Sequence, residues 1–455
     1  MEIRFTVTLC KYLNSMGKVG NEVKYIQVQK SGALKGSVSI QGSKNSSLAL
    51  LAASCLADSI VTLDGIPNIE DLRVIRQIGQ DIGLYIERQP TGELLMDPRQ
   101  LHSAVIDPGK ASAYRASYYF VGALLAKFGK VTVGFPGGDD FVSRPIDQHI
   151  KAFRSLGAEV TFHQDYYVVE AKELRGTDIY FDMITSGATI NTMLAAVRAK
   201  GKTRLMNAAT DPEVVDTANF LNMLGAKIVG AGTDQIRIEG VPYLSGGVYQ
   251  VIPDRLIAGS FLMAAGINGG SITVRNVIPE HLGSCTAKLR EIGIEIVIDD
   301  QNITAHSSGK LRATRIRTGM YPGFATDLQQ PFTALLLQSL GKSIVTERVY
   351  PKRFSHVQQL KRLGAQIEVR KESAFIKGGL PLQGNWVHAT DVRAGTCLLL
   401  AGLAAEGATK ITGIEHIQRG NENAIELFRS LGARISLEQT DEGTGQQEVQ
   451  TPYIG

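Results

Sequence analysis

Cysteine is sparse. The four in 455 residues, Cys10, Cys55, Cys285 and Cys397, stand far apart with no CxxC pair, which argues against a zinc ribbon or a disulfide framework and fits a reducing cytoplasm. No run of about 18 apolar residues exists to cross a bilayer. The opening stretch MEIRFTVTLCKYLNSMGKVG lacks the continuous apolar core of a signal peptide, so residues 1–24 read as an extension. Charge of one sign is also missing: Lys+Arg number 48 and Asp+Glu 44, a net +4. Without a basic run or an aromatic platform there is no footprint for nucleic acid.

What is present instead is a repeat. Six predicted amphipathic helices end in a bulky apolar residue followed by Gly83, Gly157, Gly225, Gly293, Gly364 or Gly432, at steps of 74, 68, 68, 71 and 68 residues. So regular a period means one supersecondary unit copied six times. At this length two or three domains are expected, and two sets of three units is the simplest grouping.

Within the unit Gly201–Ile228, a glycine turn opens a strand at Thr203–Met206, and Thr210 or Asp211 is placed to cap a helix with Pro212 near its start. Val215, Ala218, Phe220, Leu221 and Leu224 give that helix one apolar face. Each unit also holds a second helix, apolar all round and hence buried, read from LALLAASCLA, YYFVGALLA, INTMLAAVRA, FLMAAGI, FTALLLQ and CLLLAGLAA.

Polar and charged residues precede these buried helices: Lys44-Asn45, Arg115, Ser186-Gly187, Asp254-Arg255, Asp327 and Arg393. Burying a charge is costly, so the helix starts are expected at a solvent-filled cleft, where helix N-termini favour anions. Singly, each has a plain explanation: a surface cation, or Asp327 as an N-cap. Two loops add chemistry. In Pro136–His149, Gly137 and Gly138 precede Asp139, Asp140 and Arg144-Pro145, which suits either a closing loop or a flexible acidic hairpin. In the other, Thr326-Asp327 open a buried helix. Lys44, Arg115, Arg144, Arg353, Arg393 and Arg419 together imply a ligand bearing phosphate and carboxylate oxygens.

The ordered set Ser43-Lys44-Asn45, Tyr114-Arg115-Ala116-Ser117, Pro136-Gly137-Gly138, Arg144-Pro145, Val215 to Leu221, Thr326-Asp327, Asp391-Val392-Arg393-Ala394 and His416 to Gly420 resembles the enolpyruvyl transferases, on their UDP-N-acetylglucosamine branch. The resemblance runs from about Tyr25 to Ile435. It implies an inside-out α/β barrel of two similar domains, each of three βαβαββ units: 25–43 plus 252–437, and 44–251 carrying a mobile loop at 136–145, with a polar tail at 438–455. It implies phosphoenolpyruvate and UDP-N-acetylglucosamine as substrates, with no metal or cofactor. Lys44, Arg144 and Arg419 would hold phosphate, Arg353 and Arg393 carboxylate, and Arg115 would help close the site. Asp327 would be the general base and Asp139 the general acid, with Lys44 and Arg419 counted in the catalytic set. Asn45, Pro145, Ile146, Asp147, Thr185, Ser186, Gly187 and Val349 complete the implied substrate-binding set.

The chain departs from the family pattern. Asp139 stands where most members have cysteine, which implies resistance to fosfomycin, an alkylator of that cysteine. Met183 replaces a lysine near the nucleotide, Ile257 a glutamate and Asn421 a tyrosine, and Gln148 departs in the uridine-contacting segment. Alternatives are therefore a paralogue using another acceptor, such as a uridine nucleotide, or a non-catalytic nucleotide-sugar binder.

Overall fold

A computed structural model describes residues 22–113, 115–137 and 145–441. Each repeat builds one small sheet. In one, strands Asp178–Tyr180 and Lys202–Met206 run parallel, Gln235–Glu239 lies antiparallel beside the second, and Lys227–Val229 forms the edge. Neighbouring parallel strands need a crossover, and helix Ser186–Ala196 supplies it. That helix is buried from Ala188 onward. The strands instead alternate buried and exposed positions, as in Gln235–Glu239, so each sheet keeps one face in water.

The six crossover helices form two trios. Tyr119–Phe128 packs against both Lys44–Ala53 and Ser186–Ala196, and Arg255–Ile267, Thr326–Leu336 and Val392–Ala404 pack on one another. Helices therefore fill each centre and sheets face outward, the inside-out α/β barrel expected from the sequence. Buried apolar side chains fall into two clusters, one from Leu48 to Val251, the other from Ile26 to Ile40 and Leu256 to Ile435.

All six periodic glycines have positive φ, between +90° and +105°. After each, an amide reaches back five residues, as Ala226 N to Leu221 O at 3.0 Å and Ala433 N to Phe428 O at 3.0 Å. This is the Schellman ending, which needs a left-handed residue at that point.

Each body is closed by a strand distant in sequence. Gly247–Gln250 pairs with Val61–Asp64, and Glu22–Gln29 inserts between Ala408–Thr412 and Arg434–Asp441. The boundaries expected at 24 and 437 fall inside that ladder, because main-chain pairing holds Glu22–Tyr25 to Glu438–Asp441. The chain crosses between bodies twice at one place, where Ser43 N donates to Ile252 O at 2.7 Å and Asp254 N to Gln41 O at 2.9 Å. Among the described residues, no helix is long and apolar enough to cross a membrane and no His/Cys/Asp/Glu group could hold a metal ion.

Candidate active site

The starts of the buried helices meet at a cleft between the two bodies, with a cavity volume of about 250 Å³. Lys44, Asn45, Ser186, Gly187, Asp327, Val349, Arg353, Arg393 and Arg419 all line it. Three charge clusters occupy its walls.

In the first, Ser43 caps helix Lys44–Ala53 by accepting from Ser46 N at 3.3 Å, which places Lys44 on the rim. Its ammonium pairs with Asp71 Oδ2, and Arg419 Nε donates to Asp71 Oδ1 at 2.7 Å. Burial alone would raise the Asp71 carboxyl, but Lys44 and Arg419 together hold it below the usual carboxylate range.

The second cluster is centred on Asp327. Arg353 Nη1 donates to Oδ1 at 2.6 Å, and Arg393 donates to Oδ2 through Nη2 at 2.9 Å and Nε at 3.1 Å. Both arginines are buried, whereas the Asp327 side chain keeps 27% exposure. Desolvation opposes ionisation, yet the two guanidinium groups hold its pKa far below the usual range. Ala325, not Asp327, is the N-cap residue of helix Thr326–Leu336; the aspartate lies in the first turn with both oxygens held by arginines.

The third cluster is one that sequence reasoning did not assemble. Arg255 Nε donates to Glu213 Oε1 at 3.3 Å and the Arg255 Cζ lies 5.4 Å from the Tyr321 ring centre, while Ser186 Oγ donates to Asp211 Oδ2 at 2.8 Å. Asp211 occupies the N-cap position of Pro212–Met223 but makes no side-chain cap bond; its carboxylate instead takes the Ser186 hydroxyl and pairs across the cleft with Arg255 Nη2 at 3.6 Å. Burial and then the nearby Glu213 raise its carboxyl pKa. Thr210 Oγ1 donates to Tyr321 O at 2.8 Å, a direct tie between the bodies.

Other expected residues lie elsewhere. Pro145, Ile146 and Asp147 line a separate surface groove with Lys151, Arg154 and Phe162, and Asp147 begins helix Asp147–Ser155. Thr185 precedes Ser186–Ala196 and does not line the cleft. Arg115 opens the short helix Arg115–Tyr118, whose last residue reaches the cleft wall. Asp139 and Arg144 lie outside the described residues.

The four departures also avoid the cleft. Ile257 and Asn421 line a cavity of about 20 Å³ behind Arg393. Met183 is exposed. Gln148 is buried, accepting from Asp182 N at 2.9 Å and so tying two loops together. None of the four lines the central cavity.

A cleft with two carboxylate-bridged cation pairs can take a small dianion with two acidic ends. The EPSP synthase (3-phosphoshikimate 1-carboxyvinyltransferase) family matches residues 28–428. UDP-N-acetylglucosamine 1-carboxyvinyltransferase 2 of Bacillus subtilis (strain 168) is 47% identical over 92% of this chain and 97% of its own. Its namesake in Geobacillus kaustophilus is 48% identical over 90% and 96%. Among solved structures, the enolpyruvyl transferase NikO from Streptomyces tendae superposes with TM-score 0.84 at 23% identity, over 92% of this chain and all of that one. EPSP synthase from Acinetobacter baumannii gives TM-score 0.69 at 20% identity, over 91% and 100%. The chain belongs to the EPSP synthase family of carboxyvinyltransferases, on the branch of the UDP-N-acetylglucosamine 1-carboxyvinyltransferases.

Proposed function

We propose that this protein transfers the enolpyruvyl group of phosphoenolpyruvate to the 3'-hydroxyl of UDP-N-acetylglucosamine with release of phosphate, the first committed step of peptidoglycan synthesis. The observation that carries the reading is the pair of cation sites on one cleft, Lys44 with Arg419 and Arg353 with Arg393. The first pair suits the phosphate, joined by Arg144, and the second the carboxylate.

The reaction is an addition followed by an elimination. Asp139 protonates the methylene carbon, which becomes a methyl group, and the acceptor oxygen attacks the central carbon while Asp327 takes its proton. The tetrahedral ketal then loses phosphate together with one methyl proton, re-forming the carbon–carbon double bond on the acceptor ether. The cation pairs hold both acidic ends of the substrate while positive charge develops between them. Asp327 is a weak base while two arginines bind it. In this reading the substrate carboxylate draws those guanidinium groups away, and the basicity of Asp327 rises when the acceptor is in place. Asn45, Ser186, Gly187 and Val349 contact the substrates from the cleft walls, and Arg115 helps close the site. Cytoplasmic placement is supported by the free, buried cysteines Cys55, Cys285 and Cys397.

Phosphate release from phosphoenolpyruvate is measured with UDP-N-acetylglucosamine, UMP or shikimate 3-phosphate as acceptor. Release with the first alone is expected; release only with another acceptor, or with none, overturns the reading.

A further inference from the structure

Glu347 is fully buried one residue beyond strand Ser339–Thr346, outside the cleft lining. Its carboxylate accepts four hydrogen bonds. Oε1 takes Thr318 Oγ1 at 2.7 Å, Val349 N at 2.8 Å and Tyr350 N at 2.9 Å, and Oε2 takes Thr326 Oγ1 at 2.9 Å. Two of these donors are main-chain amides of the loop that presents Val349, Tyr350 and Arg353 to the cleft. The fourth is the hydroxyl of the residue preceding Asp327.

The direction of the Thr326 bond matters. A carboxylate oxygen accepts, so the Thr326 hydroxyl must donate to it and keeps only lone pairs for other partners. One of them receives Arg353 Nη1 at 3.1 Å, and the same Nη1 donates to Asp327 Oδ1 at 2.6 Å. The chain of bonds thus runs from Arg353 through Thr326 to Glu347. Without Glu347 the hydroxyl would be free to turn its proton toward Asp327, and Arg353 would lose an acceptor.

We propose that Glu347 is a positioning residue for the carboxylate-binding arginine: through Thr326 and the 347–353 loop it fixes the pose from which Arg353 meets the acidic end of the three-carbon substrate. The inference rests on the function proposed above. Charge-assisted bonds of this kind are shorter and stronger than neutral ones, and four on one buried group leave the loop little freedom.

The test compares Glu347→Gln, Thr326→Val, Thr326→Ser and the double variant Glu347→Gln/Thr326→Val. Loss of one such bond is expected to raise KM for phosphoenolpyruvate about tenfold or more, with KM for UDP-N-acetylglucosamine unmoved. Thr326→Ser should restore most of the loss, and the double variant should be no worse than the worse single change. Equal rises in both KM values, or multiplicative losses in the double variant, would overturn the relay. A crystal structure of Glu347→Gln gives a readout independent of turnover: Arg353 shifted away from Thr326 supports the proposal, and an unmoved guanidinium refutes it. If the parent protein turns over no phosphoenolpyruvate, the proposed function fails, and that outcome is distinct from a relay that fails in an active enzyme.

Discussion

Arg419 Nε donates to Asp71 Oδ1 at 2.7 Å from one body of the molecule to the other. The same carboxylate holds the Lys44 ammonium on its second oxygen. One buried aspartate therefore sets the spacing of two cations carried by different cores, and the geometry of the site proposed for phosphate depends on how the bodies stand.

Replacing Asp71 by Asn keeps the shape and removes the charge that aligns both cations. Because Lys44 and Arg419 remain partly open to solvent, the cost appears in catalysis more than in folding. Steady-state kinetics should show kcat/KM falling about 10- to 100-fold, mainly through KM for phosphoenolpyruvate. An unchanged KM would show that Asp71 does not organise the phosphate site.

Asp327→Asn leaves Arg353 and Arg393 close together without their shared counter-charge. Losing the proposed general base should lower kcat by about 100-fold or more, and the uncompensated pair should cost about 2 kcal/mol of stability, discounted for the exposure of Asp327. Added phosphoenolpyruvate should then raise the melting temperature of the variant more than that of the parent, since its carboxylate replaces the missing charge. Equal shifts in a thermal melt would contradict the carboxylate assignment.

Burial carries the Asp216 carboxyl up to about 6, despite Tyr249, Ser46 and Ile252 around it, and Glu213 adds to the rise. Tyr249 Oη donates to Oδ1 at 2.7 Å. The native state keeps a proton that the unfolded chain gives up between about pH 4 and pH 6, so stability falls as pH rises through that window. Asp216→Asn should flatten this dependence by up to about 3 kcal/mol. Urea midpoints of parent and variant at pH 4.5 and pH 7 measure the difference.

How far the sequence could be read follows from what each residue answers to. The six helix-ending glycines were legible because a left-handed backbone favours glycine at that position, and their period carried the architecture with it. Lys44, Arg353, Arg393 and Arg419 were legible as cations at helix starts and loops. Asp71 was not: Glu70-Asp71 looks like the ordinary acidic first turn of helix Glu70–Asp81, and nothing in one sequence tells that its partner lies on Arg419, 348 positions away. Asp327 was placed but its partners were not, since an N-cap and an arginine-held carboxylate share the same residue type at nearly the same position. Ile257 and Asn421 looked like changes at a nucleotide edge. They line the small cavity behind Arg393, a relation that only packing reveals.

The glycine endings separate backbone strain from steric conflict. At Gly225, with φ of +105°, an added Cβ meets nothing within 4 Å, so Gly225→Ala should cost only the strain of a left-handed L-residue, about 1–2 kcal/mol. At Gly83, with φ of +96°, the Cβ would lie 2.3 Å from His102 Nδ1 and 2.6 Å from Gln100 O. Gly83→Ala should therefore be worse by about 1 kcal/mol or more in urea unfolding, and equal losses would mean that the His102 loop yields freely.

Asp139 tests the substitution that the sequence makes most visible. A carboxylic acid can deliver a proton to carbon but offers no thiolate to an epoxide. The parent protein should keep its activity after incubation with fosfomycin, and peptide mass spectrometry should find no adduct on residues 136–145. Asp139→Cys should restore a nucleophile to the loop and with it time-dependent inactivation and an adduct at position 139. Inactivation of the parent with an adduct in this loop would show that another nucleophile stands there. A variant that keeps transfer activity yet stays unmodified would mean that the loop does not bring position 139 to the cleft, and the acid role proposed for Asp139 would fall with it.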